Sequence, residues 1–144
     1  MKAIKPQTLN RVLIVDDDRV QLEILENYFQ RRHVRHIARA IDGIDAQDQI
    51  DKNIWPFDLI VSDVNMPHFD GIALLNHLSR VHYTGHLLIM SGADQATIQL
   101  TDRIARNGTF NYLGFINKPT SMLKLDVMIG NPSAEIRQAA SRAM

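Results

Sequence analysis

Short apolar runs alternate with amphipathic segments along this chain, and this alternation limits the folds open to it. Three continuous runs, rich in valine, isoleucine and leucine, lie at residues 12–15, 59–61 and 87–90. Runs this short, without polar alternation, predict strands that are covered on both faces. Two weaker strands are predicted at residues 37–40 and 115–116.

Segments with helical spacing of apolar residues lie between these strands and after the last one. They are predicted at residues 19–32, 44–53, 70–80 and 95–107, and in a final helix that follows Ser121 and runs through Ile129. Asp18 and Ser121 stand directly before two of these helices and are predicted as N-caps, because such side chains accept hydrogen bonds from the first helical turn. Alternating strands and helices predict an α/β domain with a parallel sheet.

Polar side chains stand where the predicted strands end. They are Asp16 and Asp17 after the first strand, Asp63 after the third, Ser91 after the fourth and Lys118 after the fifth. In a parallel sheet these ends meet at one edge, where α/β proteins bind their ligands. Three carboxylates repel each other unless a cation lies between them. Oxygen ligands without histidine or cysteine favour Mg²⁺ or Mn²⁺.

This combination of groups suits phosphoryl transfer. A divalent cation, a lysine and a hydroxyl supply the charge and the hydrogen bond that an incoming phosphoryl group needs. A carboxylate can act as the nucleophile and form an aspartyl phosphate. The residues at the strand ends therefore predict phosphoryl chemistry.

Composition excludes several other classes of function. The 16 basic and 16 acidic residues cancel, which argues against binding nucleic acid through bulk charge. The chain has no cysteine, which excludes disulfides, thiol catalysis and cysteine zinc sites. No apolar stretch predicts a membrane span or a secretory signal, so a cytoplasmic protein with no membrane contact is expected. The basic residues at 31–36 are expected to be the solvated end of the first helix.

Four motifs resemble those of the receiver domain of two-component response regulators. They lie at residues 12–17, at 58–67 with Asp70 and Gly71, at 89–91 and at 114–119. The resemblance covers residues 11–129 and implies a doubly wound, five-stranded, flavodoxin-like parallel sheet. It also implies a division of the chain. An N-terminal extension is expected at 1–10, a receiver domain at 11–130, and a tail or the start of a linker at 131–144.

The resemblance implies a phospho-acceptor and a metal site. Asp63 is expected to accept a phosphoryl group from a sensor histidine kinase or a phosphotransfer protein. Asp17 and Asp63 are expected to bind Mg²⁺ directly, Asp16 mostly through water, and Asn65 through its backbone carbonyl. The expected chemistry is limited to self-phosphorylation and slow dephosphorylation, so the domain is not expected to be a conventional enzyme.

Three further residues have implied roles in switching. Lys118 is expected to hold a phosphoryl oxygen, Ser91 to act as the switch hydroxyl and Phe115 as the switch aromatic. Asn65 and Ala93 are expected to influence the rate of dephosphorylation. The output of the domain, whether a linked domain or a separate protein, is not implied.

Two features of the sequence depart from this pattern. Ser91 and Lys118 are a few residues further apart than is usual in the family, and the extra length is expected in the fourth helix or in the loop at 107–113. Thr120 also stands where the family often has phenylalanine. Elsewhere, residues 55–57 are interpreted as an apolar plug before the third strand.

Two other functions remain open. Residues 16–20 fit the Asp-x-Asp-x-Val motif of haloacid-dehalogenase-type phosphatases, with Asp16 as the nucleophile. That interpretation lacks the acidic pair expected after Lys118 and leaves Asp63 without a role. The other possibility is an interaction module that has the receiver fold but an inactive site.

Overall fold

The computed structural model describes residues 9–66, 71–92, 95–118 and 120–130. Five strands alternate with five helices along the chain. They are β1 (Arg11–Val15), α1 (Arg19–Arg31), β2 (His36–Ala40), α2 (Gly43–Lys52), β3 (Leu59–Asp63), α3 (Gly71–Arg80), β4 (His86–Ser91), α4 (Gln95–Arg106), β5 (Asn111–Asn117) and α5 (Met122–Ile129). Among the described residues, no helix is long and apolar enough to cross a bilayer.

The strands form one parallel sheet in the order β2-β1-β3-β4-β5. Two apolar clusters cover its two faces. One contains buried residues of α1 and α5, and the other contains buried residues of α2, α3 and α4. Helices on both faces of a parallel sheet define a doubly wound fold, so the predicted flavodoxin-like architecture is confirmed.

The apolar runs form the central strands because they face a core on both sides. In β1, Val12 and Ile14 belong to the cluster with α1 and α5, whereas Leu13 and Val15 belong to the other cluster. All five residues of β3 are buried. The predicted two-sided burial is therefore confirmed for these strands.

Polar side chains fix where the helices begin. Asp18 accepts a hydrogen bond from the Val20 N–H at 3.0 Å, and Ser121 accepts one from the Lys124 N–H at 3.2 Å. Both predicted N-caps are confirmed. The cap on α1 also places the helix start directly after the acidic residues that follow β1.

The edge strand β5 is longer than the sequence predicts. The prediction placed residues 107–113 in a loop, but the strand begins at Asn111. Tyr112 pairs with Leu87 and Gly114 pairs with Leu88, so the residue between them is extra. One extra residue on one strand of a pair forms a β-bulge. Gly114, at this bulge, has a φ of 119°, a conformation that glycine adopts readily. The bulge therefore gives β5 one residue more than the stretch of β4 with which it pairs.

Two other expectations need correction. Trp55 is 67% exposed, so the apolar plug before β3 is formed by Phe57, which is 5% exposed. Arg32 lies in the basic segment at 31–36, yet it pairs with the buried carboxylate of Asp126. Asp126 also accepts a hydrogen bond from the Tyr28 hydroxyl at 2.6 Å, and this network ties α1 to α5.

The N-terminal segment is tied to the sheet just before β1. The Asp58 carboxylate accepts hydrogen bonds from the N–H groups of Asn10 and Arg11, at 2.7 and 2.8 Å. Leu9 is buried in the cluster with α1 and α5. Residues 1–8 and the predicted tail at 131–144 lie outside the described residues.

Candidate functional site

Three acidic side chains meet at the carboxyl ends of β1 and β3. Asp63 is the last residue of β3, and Asp16 and Asp17 directly follow β1, the neighbouring strand. One carboxylate oxygen of each residue lies within 4.8 Å of those of the other two. Asp16 and Asp63 are buried, whereas Asp17 is exposed. The predicted convergence of these acids is therefore present.

Backbone hydrogen bonds orient the two buried acids. Oδ1 of Asp16 accepts from the Asp18 N–H at 2.9 Å, and Oδ1 of Asp63 accepts from the Asn65 N–H at 3.1 Å. The Asp16 N–H itself donates to the carbonyl of Ala40, at the end of β2. Both side chains are thus held through Oδ1 by the loops that follow their strands.

Lys118 bridges the other oxygens of the two buried acids. Its Nζ lies 2.8 Å from Oδ2 of Asp16 and 3.2 Å from Oδ2 of Asp63. Its backbone N–H donates to the carbonyl of Ser91 at 2.9 Å, which ties the end of β5 to the end of β4. The lysine predicted from the sequence is therefore brought to the acids.

Burial and charge act against each other on these groups. Burial raises the pKa of Asp16 and of Asp63, and the hydrogen bonds from Lys118 and the backbone offset this only in part. Burial lowers the pKa of Lys118, but its hydrogen bonds and charge interactions with the two acids outweigh that effect and leave the pKa raised. The lysine is therefore charged at neutral pH and lies between the two buried acids.

The donor set fits a hard divalent cation. Asp16, Asp17 and Asp63 offer only oxygen ligands, and the exposure of Asp17 leaves one side open to water. Mg²⁺ prefers such sites, with one or two carboxylates and several waters. Asp18 is used to cap α1, in agreement with its prediction as a cap rather than a ligand. The role of the Asn65 carbonyl stays a prediction.

The two predicted switch residues lie on neighbouring strands. Ser91 is the buried last residue of β4, and its neighbour Met90 pairs with Asp63. Phe115 lies in β5 and is 37% exposed. Ser91 is thus placed at the same sheet edge as the acids, while the switching role of both residues stays a prediction. Pro67, Asp70 and Ala93 lie outside the described residues.

Sequence reasoning missed a set of contacts between α4 and β5. The Tyr112 hydroxyl donates to Asp102 at 2.8 Å, and Arg106 donates to the same carboxylate at 2.8 Å. The available signal was Gly114, since a glycine inside a strand marks a bulge or a close approach of the backbone. That signal would have extended β5 back to Tyr112.

The sequence matches the family model of the response regulator receiver domain over residues 12–129. The chain belongs to this family, the receiver domain of two-component response regulators. The match includes the whole site from Asp16 to Lys118 and confirms the resemblance drawn from the motifs. It favours the receiver over the dehalogenase-type phosphatase.

Two curated relatives are similar to parts of this chain. The 3′,5′-cyclic-nucleotide phosphodiesterase regA of Dictyostelium discoideum is 32% identical over 111 residues, which are 76% of this chain and 13% of that protein. The two-component response regulator ORR22 of Oryza sativa subsp. indica is 45% identical over 65 residues, which are 45% of this chain and 9% of that protein. The chain therefore spans only a small part of the length of these relatives.

Solved structures share the fold. A chain of the CheX-CheY-BeF3-Mg²⁺ complex from Borrelia burgdorferi aligns with a TM-score of 0.73 at 22% identity, over 87% of this chain and 95% of that one. The receiver domain of the Francisella response regulator 1452 aligns with a TM-score of 0.68 at 23% identity, over 91% of this chain and 98% of that one. At these identities the likeness shows the fold alone.

Proposed function

We propose that this chain is a phosphorylation switch in which Asp63 accepts a phosphoryl group in the presence of Mg²⁺. The observation that carries the proposal is the position of Asp63 within the sheet. It ends β3, between β1 with its acidic neighbours and β4 with Ser91. A phosphoryl group on Asp63 would therefore lie between a metal ligand set and a hydroxyl, within reach of Lys118.

Asp16 is the less suitable nucleophile. Asp16 follows β1, which is two positions from β4 in the sheet, whereas Asp63 ends β3, which pairs with β4 directly. A phosphoryl group on Asp16 would be further from Ser91 than one on Asp63. Asp16 and Asp17 are better placed as metal ligands.

The proposed reaction transfers one phosphoryl group. An oxygen of Asp63 attacks phosphorus, and the P–N bond of a phosphohistidine or the P–O bond of an acyl phosphate breaks. The bonding electrons leave with the imidazole nitrogen, which takes a proton, or with the carboxylate of the donor. Lys118 would then hold an oxygen of the transferred group. Bound Mg²⁺ would supply positive charge against the phosphoryl oxygens and the acids.

The proposed donor is a histidine kinase or a phosphotransfer protein. The family match over residues 12–129 supports such a donor, because receiver domains interact with these proteins. Some relatives have names that describe enzymes, such as the phosphodiesterase regA, and this chain covers 13% of that protein. For residues 11–130 we propose only self-phosphorylation and dephosphorylation, with residues 131–144 as a tail or the start of a linker.

Intact-mass spectrometry after incubation with acetyl phosphate and Mg²⁺ tests this proposal. The wild-type protein should gain one phosphoryl group, which should be lost slowly and should not form in excess EDTA. Asp63→Asn should gain none. Asp18→Asn is the matched control, because asparagine caps a helix as well as aspartate does, and it should be phosphorylated like the wild type. An adduct that persists in Asp63→Asn would overturn the proposal.

A further inference from the structure

The bulge in β5 changes which side chains share a face of the sheet. Leu113 and Ile116 both belong to the cluster with α1 and α5, although they are three residues apart. In a regular strand, residues three apart point to opposite faces. The bulge between them therefore shifts the alternation by one residue. As a consequence, Phe115 comes to the same side of the strand as Tyr112, which packs against the other cluster.

Tyr112 is bound to α4 through two charged residues. Its hydroxyl donates to Oδ1 of Asp102 at 2.8 Å, and the Arg106 Nε donates to Oδ2 of the same carboxylate at 2.8 Å. The Arg106 guanidinium carbon also lies 5.6 Å from the centre of the Tyr112 ring, within the range of a cation–π contact. The term α4–β5 latch denotes the three residues Asp102, Arg106 and Tyr112.

Helix α4 has little apolar burial to hold it in place. Of its twelve residues, only Thr101 and Ala105 are buried, and both have small side chains. By comparison, α3 buries three leucines, Leu74, Leu75 and Leu78. An element with few buried apolar contacts opens or shifts at low cost in free energy. The latch therefore adds a polar contact to a limited apolar packing of α4, in which Ile104 is only partly buried against the cluster with α2 and α3.

The latch and the predicted switch aromatic line the same cavity. A cavity of about 660 Å³ at the surface of β5 is bounded by the three latch residues, by Phe115 and by Met128 of α5. Because Phe115 and Tyr112 lie on one side of the strand and line one cavity, a change in the position of Phe115 would change the space beside Tyr112. The latch is thus placed to respond to, or to resist, a movement of Phe115.

We propose that the α4–β5 latch stabilises the unphosphorylated form of the domain and so opposes switching, with Tyr112 as a positioning residue. This inference rests on the proposed function. A contact that forms only in the unphosphorylated form makes phosphorylation less favourable. The size of this effect is the free energy that the contact contributes to the unphosphorylated form. Removing the Tyr112 hydroxyl therefore favours phosphorylation of Asp63. Tyr112 acts through α4 and Asp102 and not through the acids of the phosphorylation site.

Two measurements on the full chain test the latch. In Tyr112→Phe, the amides of α4 should exchange with deuterium faster than in the wild type. The rate constant for phosphorylation by limiting acetyl phosphate should rise about threefold to tenfold, the factor expected when one hydrogen bond is removed from the resting form only. Asp102→Asn keeps an acceptor for the hydroxyl but loses the charge, so it should give a smaller rise.

Tyr28→Phe is the matched control, because Tyr28 makes the same kind of bond to a carboxylate and stacks with Arg32, but between α1 and α5. It should leave α4 exchange and the phosphorylation rate unchanged. A Tyr112→Phe rate equal to or below that of the wild type, or an equal rise in Tyr28→Phe, would overturn the inference. If the wild type is not phosphorylated at all, the proposed function fails. The latch is then judged by α4 exchange alone, and unchanged exchange overturns it.

Discussion

Lys118 donates to Oδ2 of Asp16 at 2.8 Å, so the ammonium group at the end of β5 is held by the first acidic residue after β1. The same Nζ lies 3.2 Å from Asp63, and one cation therefore serves two buried acids. Within the described part of the chain, the third acid, Asp17, forms no ion pair of its own. A bound divalent cation would offset the repulsion among the three acids, which predicts a dependence on both pH and Mg²⁺.

Asp16 and Asp63 should each contribute a loss of stability in the metal-free protein as the pH rises. Burial raises the pKa of Asp16 and of Asp63 above the value of the unfolded chain, so the folded protein binds more protons between the two values. As the pH rises, the free energy of unfolding begins to fall near the ordinary aspartate pKa. It continues to fall until the pH has passed the raised pKa of the folded protein. Urea unfolding in EDTA at several pH values should show a weaker fall for Asp16→Asn than for the wild type. An equal or steeper fall would contradict this cause.

Mg²⁺ should stabilise the folded protein through Asp17. A ligand at ten times its dissociation constant adds about 1.4 kcal/mol, which raises the Tm by roughly 3–6 °C in a domain of this size. Asp17→Asn should lose most of that gain because it removes a charged ligand. Asp18→Asn should keep it, because Asp18 caps α1 instead of facing the metal. Thermal unfolding with and without Mg²⁺ measures both, and an equal loss in the two variants would exclude Asp17 as a specific ligand.

The buried pair between Arg32 and Asp126 should be important for stability. Asp126→Ala leaves the guanidinium of Arg32 and the hydroxyl of Tyr28 without their acceptor, and removing one partner of such a pair costs about 3–5 kcal/mol when it is buried. Because the Arg32 side chain is 19% exposed, the expected loss is at the lower end, about 3 kcal/mol. Urea unfolding measures it.

The control for this pair is a surface ion pair on α2. Asp48 pairs with Lys52 one helical turn away, and both side chains are more than half exposed. Exposed pairs of this kind contribute about 0.3–0.5 kcal/mol. Asp48→Ala should therefore change the free energy of unfolding by less than about 0.5 kcal/mol. A similar loss of unfolding free energy in Asp126→Ala and Asp48→Ala would mean that the buried network stabilises the fold no more than a surface ion pair does.

The bulge in β5 should require glycine at position 114. Its φ of 119° is unfavourable for other residues, and a Cβ there would lie 2.7 Å from Cε of Met128. Gly114→Ala should cost about 1–3 kcal/mol of unfolding free energy. Gly92 is the control, because a Cβ there meets no described residue within 4 Å, and Gly92→Ala should be neutral or stabilising by up to about 1 kcal/mol. An equal change in the free energy of unfolding in Gly114→Ala and Gly92→Ala would contradict the requirement for glycine at the bulge.

Much of the fold was predictable because its strands are buried on both faces. The apolar runs before Asp16 and Asp63 leave no doubt about strand type, and their polar ends locate the site at one edge of the sheet. The convergence of the three acids and Lys118 follows from the parallel topology alone. For this reason the site could be proposed without knowledge of its geometry.

The edge strand was harder to predict for a physical reason. β5 pairs on one side only and contains Asn111 and Gly114, so its sequence lacks a continuous apolar run. The bulge also breaks the alternation that a period of two would show. Long-range polar contacts, such as that between Tyr28 and Asp126, have no local pattern and emerge only when the helices pack.

The most direct test of the central claim is to locate the phosphoryl group. The wild-type protein is incubated with acetyl phosphate and Mg²⁺ and then reduced with borohydride, which converts an aspartyl phosphate to homoserine. Peptide mass spectrometry then identifies the converted position. Homoserine at position 63, and its loss in Asp63→Asn, is the expected result. Homoserine at position 16 or 17, or no conversion in a protein that binds Mg²⁺, would contradict the assignment of Asp63 as the phospho-acceptor.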